Sequence, residues 1–427
     1  MENERQRRTV FYGWRIVGAT FAILVLTGGI GFYTFTIFVK PLTEEFGWSR
    51  TAISGAVSLW AVVLGLASQV VGLCMSKYGA RRTMTIAAFL GGAGYLLLSR
   101  LNGIALLYGA MAVIGVGVAG TTLVPGQTLI SHWFNRLRGR AMGLMMLGIG
   151  IGGLVMPPLT AFLIQRFGWR GALGFFSAAF WIVVIPVVLV FIRSKPSDLG
   201  LLSDGASAGP DPSNAGTAAI TGLPVRRAVM SAAFVLVFAT YVLQLYGQSG
   251  LNVHFAPLLD RHTGFSPQQA ANFFGLTLGF SVFGRPLFGW LSDRWSPRGL
   301  MALGGFLFAA GTAVLEVCFI RLEMTSPIPI YVFGILYGCA VGGSATVLPI
   351  LIGRCFGLLN FSTILGIVMR GFAIGVVLGP LLAGRVFDNT GSYEVALFTW
   401  LAAFILSAVL VLMVREEPLQ REFEGAE

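Results

Sequence analysis

The chain is dominated by long hydrophobic stretches that short polar segments separate. A helix that crosses a bilayer needs about 20 mainly apolar residues, and twelve such stretches follow one another along the sequence. The predicted spans are 14–39, 53–75, 83–99, 104–131, 141–165, 171–192, 229–258, 267–291, 299–320, 328–352, 361–385 and 394–414. The pattern therefore predicts an all-α membrane protein with twelve transmembrane helices.

One longer polar segment divides the predicted helices into two groups of six. Residues 194–228 are rich in Gly, Ser, Ala, Pro and Asp, a composition that cannot bury a core and is typical of a flexible linker. We therefore expect an N-terminal six-helix bundle at residues 1–193, a cytoplasmic linker at 194–228 and a C-terminal six-helix bundle at 229–427.

The two groups of helices repeat each other in sequence. GLCMSKYGARR at 72–82 and GWLSDRWSPRG at 289–299 each follow the second helix of their half. GLMMLGIGIGGLVMPPL at 143–159 likewise matches GIVMRGFAIGVVLGPLL at 366–382. Parallel six-helix repeats place a binding site between the halves, near the middle of the membrane, and predict that one half rocks against the other.

Composition and charge agree with a membrane protein. Charged residues make up 11% of the chain, against about 25% in soluble domains. The net charge of +11 comes from basic residues spread among the loops, so we expect no nucleic-acid binding. Most of them lie at the termini and in even-numbered loops, which predicts cytoplasmic termini. We expect a multi-pass protein of the plasma (inner) membrane.

Two arginines lie inside predicted helices that contain no carboxylate: Arg285 in the eighth and Arg370 in the eleventh. A cation in hydrocarbon is costly and usually faces a water-filled substrate path. At about 1.5 Å per residue, both lie roughly 10–14 Å inside the membrane. We expect an anionic substrate to be the missing partner of both arginines. The alternative is that they snorkel towards the headgroups.

A loop motif connects the chain to a known superfamily. The pattern G-x-x-x-D-R-x-x-x-R is formed by Gly289, Asp293, Arg294 and Arg298. It resembles the signature loop of the major facilitator superfamily, whose members use it as a gating latch. The N-terminal counterpart keeps Gly72, Arg81 and Arg82, but Ser76 and Lys77 replace the Asp-Arg pair. This replacement weakens the charge latch that the family forms there.

More specific segments narrow the resemblance. FxxPLxxEFGWSR at 38–50, HWFNRLRGRAMG at 132–143 and FGRPLFGWLSDR at 283–294 are together similar to the branch of oxalate:formate antiporters and monocarboxylate porters. The resemblance implies that Arg285, in an Arg-Pro context, is the carboxylate-binding cation. It also implies that Arg370 takes the place of a second, helix 11 cation of oxalate carriers. Animal monocarboxylate porters have an acidic residue where this chain has Ser281.

The resemblance also implies which helices line the path, namely 1, 4, 7 and 10. An imidazole side chain ordinarily titrates near physiological pH, so His254 in helix 7 is a candidate for proton coupling, with an ordinary polar interface role as the alternative. The other substrate-binding candidates are Tyr33, Thr121, Thr122, Gln127, Tyr241, Gln244, Gln248 and Tyr337. Helix packing is the alternative for each. The glycine-rich segment at 148–153 is not followed by Lys and indicates close helix packing rather than a phosphate loop.

The sequence therefore predicts a secondary active transporter, not an enzyme, that moves small mono- or dicarboxylates by alternating access. Coupling would be to a counter-anion or to protons. A proton-coupled antiporter of a drug or another non-carboxylate solute is the alternative, although helices 1–6 contain no acidic residue well inside the membrane. A transporter-like anion sensor is a further alternative. We expect a monomer in a lipid bilayer, with no metal and no cofactor.

Overall fold

The computed structural model of the protein describes residues 11–204, 221–263, 267–322 and 326–415. Twelve long helices, numbered α1–α12, account for most of these residues and form two groups of six. Two short helical segments, Pro196–Leu199 and Val225–Met230, lie between the groups.

Helices α1–α6 form the N-terminal half, and two of them, α1 and α4, consist of several segments. Helix α1 consists of the segments Tyr12–Ile23, Leu24–Gly28, Gly29–Tyr33 and Phe35–Phe46. Helices α2, α3 and α4 are Arg50–Tyr78, Ala80–Ser99, and Ile104–Ala119 followed by Leu123–Trp133. Helices α5 and α6 share the run Arg138–Phe191, which Gly168 divides with a φ of 70°.

Helices α7–α12 form the C-terminal half. Helices α7, α8 and α9 are Ala232–Thr263, Pro267–Ser292 and Pro297–Leu315, the last extended by the π-helical segment Glu316–Arg321. Helices α10, α11 and α12 are Ile328–Phe356, Phe361–Val368 with Arg370–Thr390, and Glu394–Leu412.

Local sequence sets several helix ends. Ser49 and Ser296 cap the first turns of α2 and α9 by accepting a backbone N–H with their hydroxyl groups. Pro297 follows at the first position of α9, where its missing N–H costs nothing. Gly47 and Gly391 end α1 and α11 with φ values of 66° and 67°. This left-handed conformation favours glycine.

The helices are long and apolar enough for a membrane protein. Nine helical runs within the described residues meet the length and hydropathy of a membrane span. One of these runs holds both α5 and α6, and α3 and α8, with 20 and 26 residues, complete the twelve. Large apolar side chains such as Ile182 and Phe283 are exposed on the outer faces, which suits a lipid environment. The predicted fold class is confirmed.

The segments between the halves run along one end of the molecule, which we call the linker-side end. Asp204 pairs with Phe134 in the α4–α5 loop, and Gly222 pairs with Gly357 in the α10–α11 loop. The middle of the predicted flexible linker, residues 205–220, lies outside the described residues. The domain boundaries at residues 193 and 229 stay a prediction.

Candidate functional site

Arg285 is a buried cation without a countercharge. Its side chain lies in α8 and is 3% exposed. The Nη1 atom donates to the backbone oxygen of Ser281 at 3.0 Å and to its Oγ at 2.9 Å. The Nε atom is buried without a hydrogen-bond partner, and no carboxylate in the described part of the chain forms an ion pair with it. An unpaired buried charge is unfavourable, so the site is electrostatically incomplete.

The Arg285 guanidinium reaches from the C-terminal half to the N-terminal half. It interacts with the hydroxyl of Tyr33 in α1. Two glycines of α5 leave room for this pair. A Cβ at Gly150 would lie 2.7 Å from Nη1 of Arg285, and a Cβ at Gly153 would lie 3.0 Å from the Tyr33 ring. The glycine-rich segment therefore makes room for both side chains in addition to packing helices.

Arg370 does not lie beside Arg285 in this conformation, and a site that uses both arginines stays a prediction. It begins the second segment of α11, and its side chain is exposed. At about 100° per residue, Ile374 and Leu381 share its face, with 41% and 61% of their surfaces exposed. Phe372 points in nearly the opposite direction and lines the central cavity. Arg370 thus faces the lipid side in this conformation, as the snorkelling alternative expects.

A cavity of about 130 Å³ lies between the two halves. Helices α4 and α5 line it from the N-terminal half, and α7, α9, α10 and α11 line it from the C-terminal half. The polar lining residues are Gln127, Tyr241, Gln244, Gln248 and Ser344. The structure thus brings four of the predicted candidates together. Sequence reasoning missed Ser344, because a serine in an apolar helix resembles any other small packing residue.

Three of these lining residues have unused hydrogen-bonding atoms. Gln127, Gln244 and Ser344 are 2%, 4% and 7% exposed. Gln127 Oε1, Gln244 Nε2 and Ser344 Oγ have no partner among the described residues. Gln127 Nε2 lies 3.8 Å from the Met146 sulfur, which is a weak acceptor. The cavity therefore offers donors and acceptors that are free to bind a solute.

The Arg285 site borders this cavity along α5. Met146 lines the cavity, and Gly150, which contacts the Arg285 guanidinium, lies one helical turn further along the same face. The cation and the neutral polar cavity are therefore neighbouring parts of one region between the halves.

Three other candidates form hydrogen bonds within a helix or between neighbouring helices. The hydroxyls of Thr121 and Thr122 donate to backbone oxygens four residues earlier, at 2.8 and 2.6 Å, where α4 is broken. Tyr337 is 1% exposed, and its hydroxyl lies 3.1 Å from both Gln248 O and Asn252 Oδ1. These contacts agree with the helix-packing alternative for all three.

His254 is held inside the C-terminal half. Its Nε2 lies 3.1 Å from the backbone oxygen of Pro380 in α11, and its Nδ1 lies 3.1 Å from the hydroxyl of Tyr393 before α12. His254 is not among the residues that line the central cavity in the described structure. Its contacts match the alternative of an ordinary polar interface residue.

The signature loop joins the two halves at the linker-side end. Asp293 Oδ1 accepts the backbone N–H of Gly139 at 2.7 Å, and Oδ2 accepts that of Arg140 at 3.3 Å. Burial raises the pKa of the Asp293 carboxyl, although these hydrogen bonds oppose the shift. A Cβ on Gly289 would lie 2.5 Å from the Gly139 oxygen, so glycine allows α8 to meet α5 there.

The two arginines of the loop make contacts within the C-terminal half. Arg294 lies over the Trp290 ring, with its guanidinium carbon 4.3 Å from the ring centroid. Arg298 donates to the backbone oxygen of Val414 at 3.2 Å.

The N-terminal counterpart of this loop makes different contacts. The hydroxyl of Ser362 in α11 donates to the backbone oxygen of Gly72 at 2.9 Å. This hydrogen bond joins α2 to the other half. Arg81 donates to the backbone oxygen of Ile192 at 3.1 Å, whereas Arg82 is exposed. Ser76 stands where the C-terminal loop has Asp293, and neither arginine makes up for the loss of that carboxylate contact between the halves in the described structure.

Comparisons with known proteins identify the family. Residues 19–249 and 237–427 match the Major Facilitator Superfamily, and the chain therefore belongs to it. Monocarboxylate transporter 12 of Homo sapiens is 26% identical over 418 residues, which cover 94% of this chain and 80% of that protein. Monocarboxylate transporter 11 of Homo sapiens is 28% identical over 417 residues, with 94% and 81% covered.

Solved structures show the same fold. A human organic anion transporter superposes with a TM-score of 0.73 at 17% identity and covers 93% of this chain and 99% of its own. A proton:xylose symporter superposes with a TM-score of 0.78 at 14% identity, covering 97% and 99%. The predicted superfamily, its monocarboxylate porter relatives and the assignment as a transporter rather than an enzyme are confirmed.

Proposed function

We propose that the protein is a secondary active transporter of small organic anions and that Arg285 binds the substrate carboxylate. The observation that carries this proposal is that the buried Arg285 has only neutral partners within the described residues. A carboxylate would supply the missing charge, since a guanidinium binds it through two parallel charge-assisted bonds. The names of the monocarboxylate transporters and of the organic anion transporter support this substrate class.

A monocarboxylate fits the region better than a dicarboxylate. Arg370 faces away from the cavity, so one guanidinium is available rather than two. The cavity of about 130 Å³ is larger than the site of a single water molecule and has room for a small solute. A small acid with a single carboxylate matches both the charge and the space.

Alternating access follows from the position of the site. Arg285 belongs to one half and Tyr33 to the other, so an anion that binds between them contacts both moving parts. Binding would also neutralise the buried charge and favour occluded states. This logic suits anion exchange or anion–proton symport, with both termini on the cytoplasmic side.

The direct test replaces each intramembrane arginine in turn. In proteoliposomes, we expect Arg285→Gln to lower uptake of labelled lactate, pyruvate and formate by about 100-fold, because the substrate charge then lacks its partner. Arg370→Gln is the matched control and should keep most of the uptake. Size-exclusion profiles must show that both variants are folded. Normal uptake by a folded Arg285→Gln variant would refute the proposal.

The same vesicles distinguish the coupling modes. Uptake that requires preloaded unlabelled anion indicates exchange, whereas uptake driven by an inside-alkaline pH gradient indicates proton symport. Oxalate in the panel tests the monocarboxylate preference, since efficient oxalate uptake would call for a second cation. If the wild type takes up no carboxylate under either condition, the proposed function is wrong.

A further inference from the structure

We propose that Gln127, Gln244 and Ser344 form a subsite for a hydroxyl group of the substrate. The carrier would then prefer hydroxy-substituted carboxylates, such as 2-hydroxy acids, over unsubstituted acids with the same carbon skeleton. This inference rests on the proposed function, because it specifies the kind of acid that Arg285 binds.

The first reason is that three buried polar atoms line one cavity without a partner. Gln127, Gln244 and Ser344 are each more than nine-tenths buried. In proteins, about 90% or more of buried polar groups have a hydrogen-bond partner. Here Gln127 Oε1, Gln244 Nε2 and Ser344 Oγ lack one within the described residues, and all three residues line the same cavity. Three such residues around one cavity point to a bound solute that completes the hydrogen bonds.

The second reason is the chemical character of the three groups. A primary amide carries both donors and acceptors, and a serine hydroxyl is itself both. None of the three is charged, so the subsite does not select an ion. A hydroxyl group both donates and accepts, and it therefore matches a neutral lining of this mixed kind. The apolar lining residues Met146, Leu348 and Phe372 exclude a large polar group.

The third reason is that the cation and the cavity border neighbouring turns of the same helix. Met146 lines the cavity, and Gly150, one turn away on α5, contacts the Arg285 guanidinium. One helical turn separates side chains by about 5–6 Å, which is the reach of an acid of two to four carbons. A carboxylate on Arg285 therefore places its neighbouring carbons at the subsite.

The subsite also includes residues from both halves. Gln127 belongs to α4 in the N-terminal half, whereas Gln244 and Ser344 belong to α7 and α10 in the C-terminal half. A hydroxyl that binds all three would contact both halves. Recognition would then depend on their closing around the substrate.

The test uses pairs of acids that differ by one hydroxyl group: lactate with propionate, and glycolate with acetate. We expect wild-type protein in proteoliposomes to prefer the hydroxy acid by about 10-fold or more in kcat/KM. The acid without the hydroxyl group leaves the buried polar groups of the subsite without partners. Gln127→Leu, Gln244→Leu and Ser344→Ala should each lower this preference by about 3- to 30-fold. In each of these variants, uptake of lactate should fall by a larger factor than uptake of propionate.

Gln69→Leu is the matched control. Gln69 lies on α2, and its Oε1 is also buried without a partner among the described residues, but it does not line the cavity. The control should keep the preference for hydroxy acids. A thermal-shift comparison of the purified wild type in lactate and propionate provides a second measurement that needs no variant, with the larger shift expected in lactate.

Several results would overturn the inference. One is a wild type that transports or is stabilised by both acids of a pair equally. Another is that the variants lose uptake of both acids of a pair to the same extent. The three residues would then only pack against their neighbours or bind water. If Arg285→Gln abolishes uptake in these cases, the proposed function survives and only the hydroxyl subsite fails. If Arg285→Gln transports normally, the proposed function itself fails.

Discussion

An ionisable side chain inside a membrane helix takes its role from its partners, and His254 and Arg285 show two different outcomes. Pro380 O can only accept a hydrogen bond, so Nε2 of His254 carries the proton in the contact between them. Nδ1 then accepts from the hydroxyl of Tyr393. Both ring nitrogens are thus used within one half, whereas the Arg285 guanidinium keeps an unpaired Nε between the two halves.

We therefore predict that His254 stabilises the C-terminal half and does not carry the coupling proton. His254→Phe removes both hydrogen bonds of the imidazole, at about 0.5–1.5 kcal/mol for each. We expect a lower Tm of the detergent-purified variant, measured by thermal denaturation. The pH dependence of carboxylate uptake should stay that of the wild type.

Tyr393→Phe is the milder companion variant, because it removes only the hydroxyl that His254 contacts. It should lower the Tm by less than His254→Phe does. If His254→Phe instead kept its Tm and lost uptake driven by a pH gradient, His254 would be a proton-coupling residue as the sequence suggests.

At the scale of helices, the contact between α5 and α8 depends on glycine. Gly289 lies against Gly139 and Gly143, with no room for a Cβ. We predict that Gly289→Ala separates the two helices and disfavours closure of the linker-side end, since the Cβ would meet backbone rather than a flexible side chain. Uptake should fall several-fold, and cysteines introduced near this contact should react faster with water-soluble thiol reagents.

Gly279→Ala is the control on the same helix. A Cβ at Gly279 meets nothing within 4 Å, and alanine is the better helix former by about 1 kcal/mol. This variant should keep uptake and thiol accessibility at wild-type values. Equal behaviour of the two variants would show that the close contact of α5 and α8 is not needed.

The helices also show where sequence reasoning succeeds and where it stops. Hydropathy predicted all twelve spans. A chain that crosses lipid must form its backbone hydrogen bonds within a helix and must stay apolar over the fixed thickness of the bilayer. It did not predict which way a side chain points. Arg370 follows a break of α11 at Met369 and faces the lipid side, and only packing against other helices sets such a rotation. Likewise, nothing in the sequence distinguishes Ser344 from the buried serines that only pack.

At the scale of the whole molecule, the two halves are joined unequally at the linker-side end. Helix α8 contributes the Asp293 carboxylate, which accepts two backbone N–H groups at the start of α5. The start of a helix carries partial positive charge and favours an anion. In the N-terminal half, Ser76 occupies the repeat position of Asp293. The contact between α2 and α11 there includes the hydrogen bond that the Ser362 hydroxyl donates to the backbone oxygen of Gly72.

We predict from this asymmetry that Asp293 is the main latch of the linker-side-closed state. Asp293→Ala leaves two N–H groups at the start of α5 without their acceptor in the closed state, whereas water pairs with them once the halves separate. At about 1–3 kcal/mol for each of the two unpaired groups, the ratio of closed to open protein should fall by about 30-fold or more. The measurement is the distance distribution between spin labels at Lys77→Cys and Trp295→Cys, in a background without the native cysteines.

Both label positions are exposed and lie on different halves at this end, so opening lengthens the distance between them. The measurement is made at pH 7.5 or above, because burial raises the pKa of the Asp293 carboxyl and a higher pH favours its ionised form. Asp198→Ala is the control, because Asp198 accepts from Lys195 within its own short turn. If Asp293→Ala and Asp198→Ala give the same distances as the wild type, closure rests on the glycine contacts. The carboxylate of the signature loop would then have no part in holding the halves together.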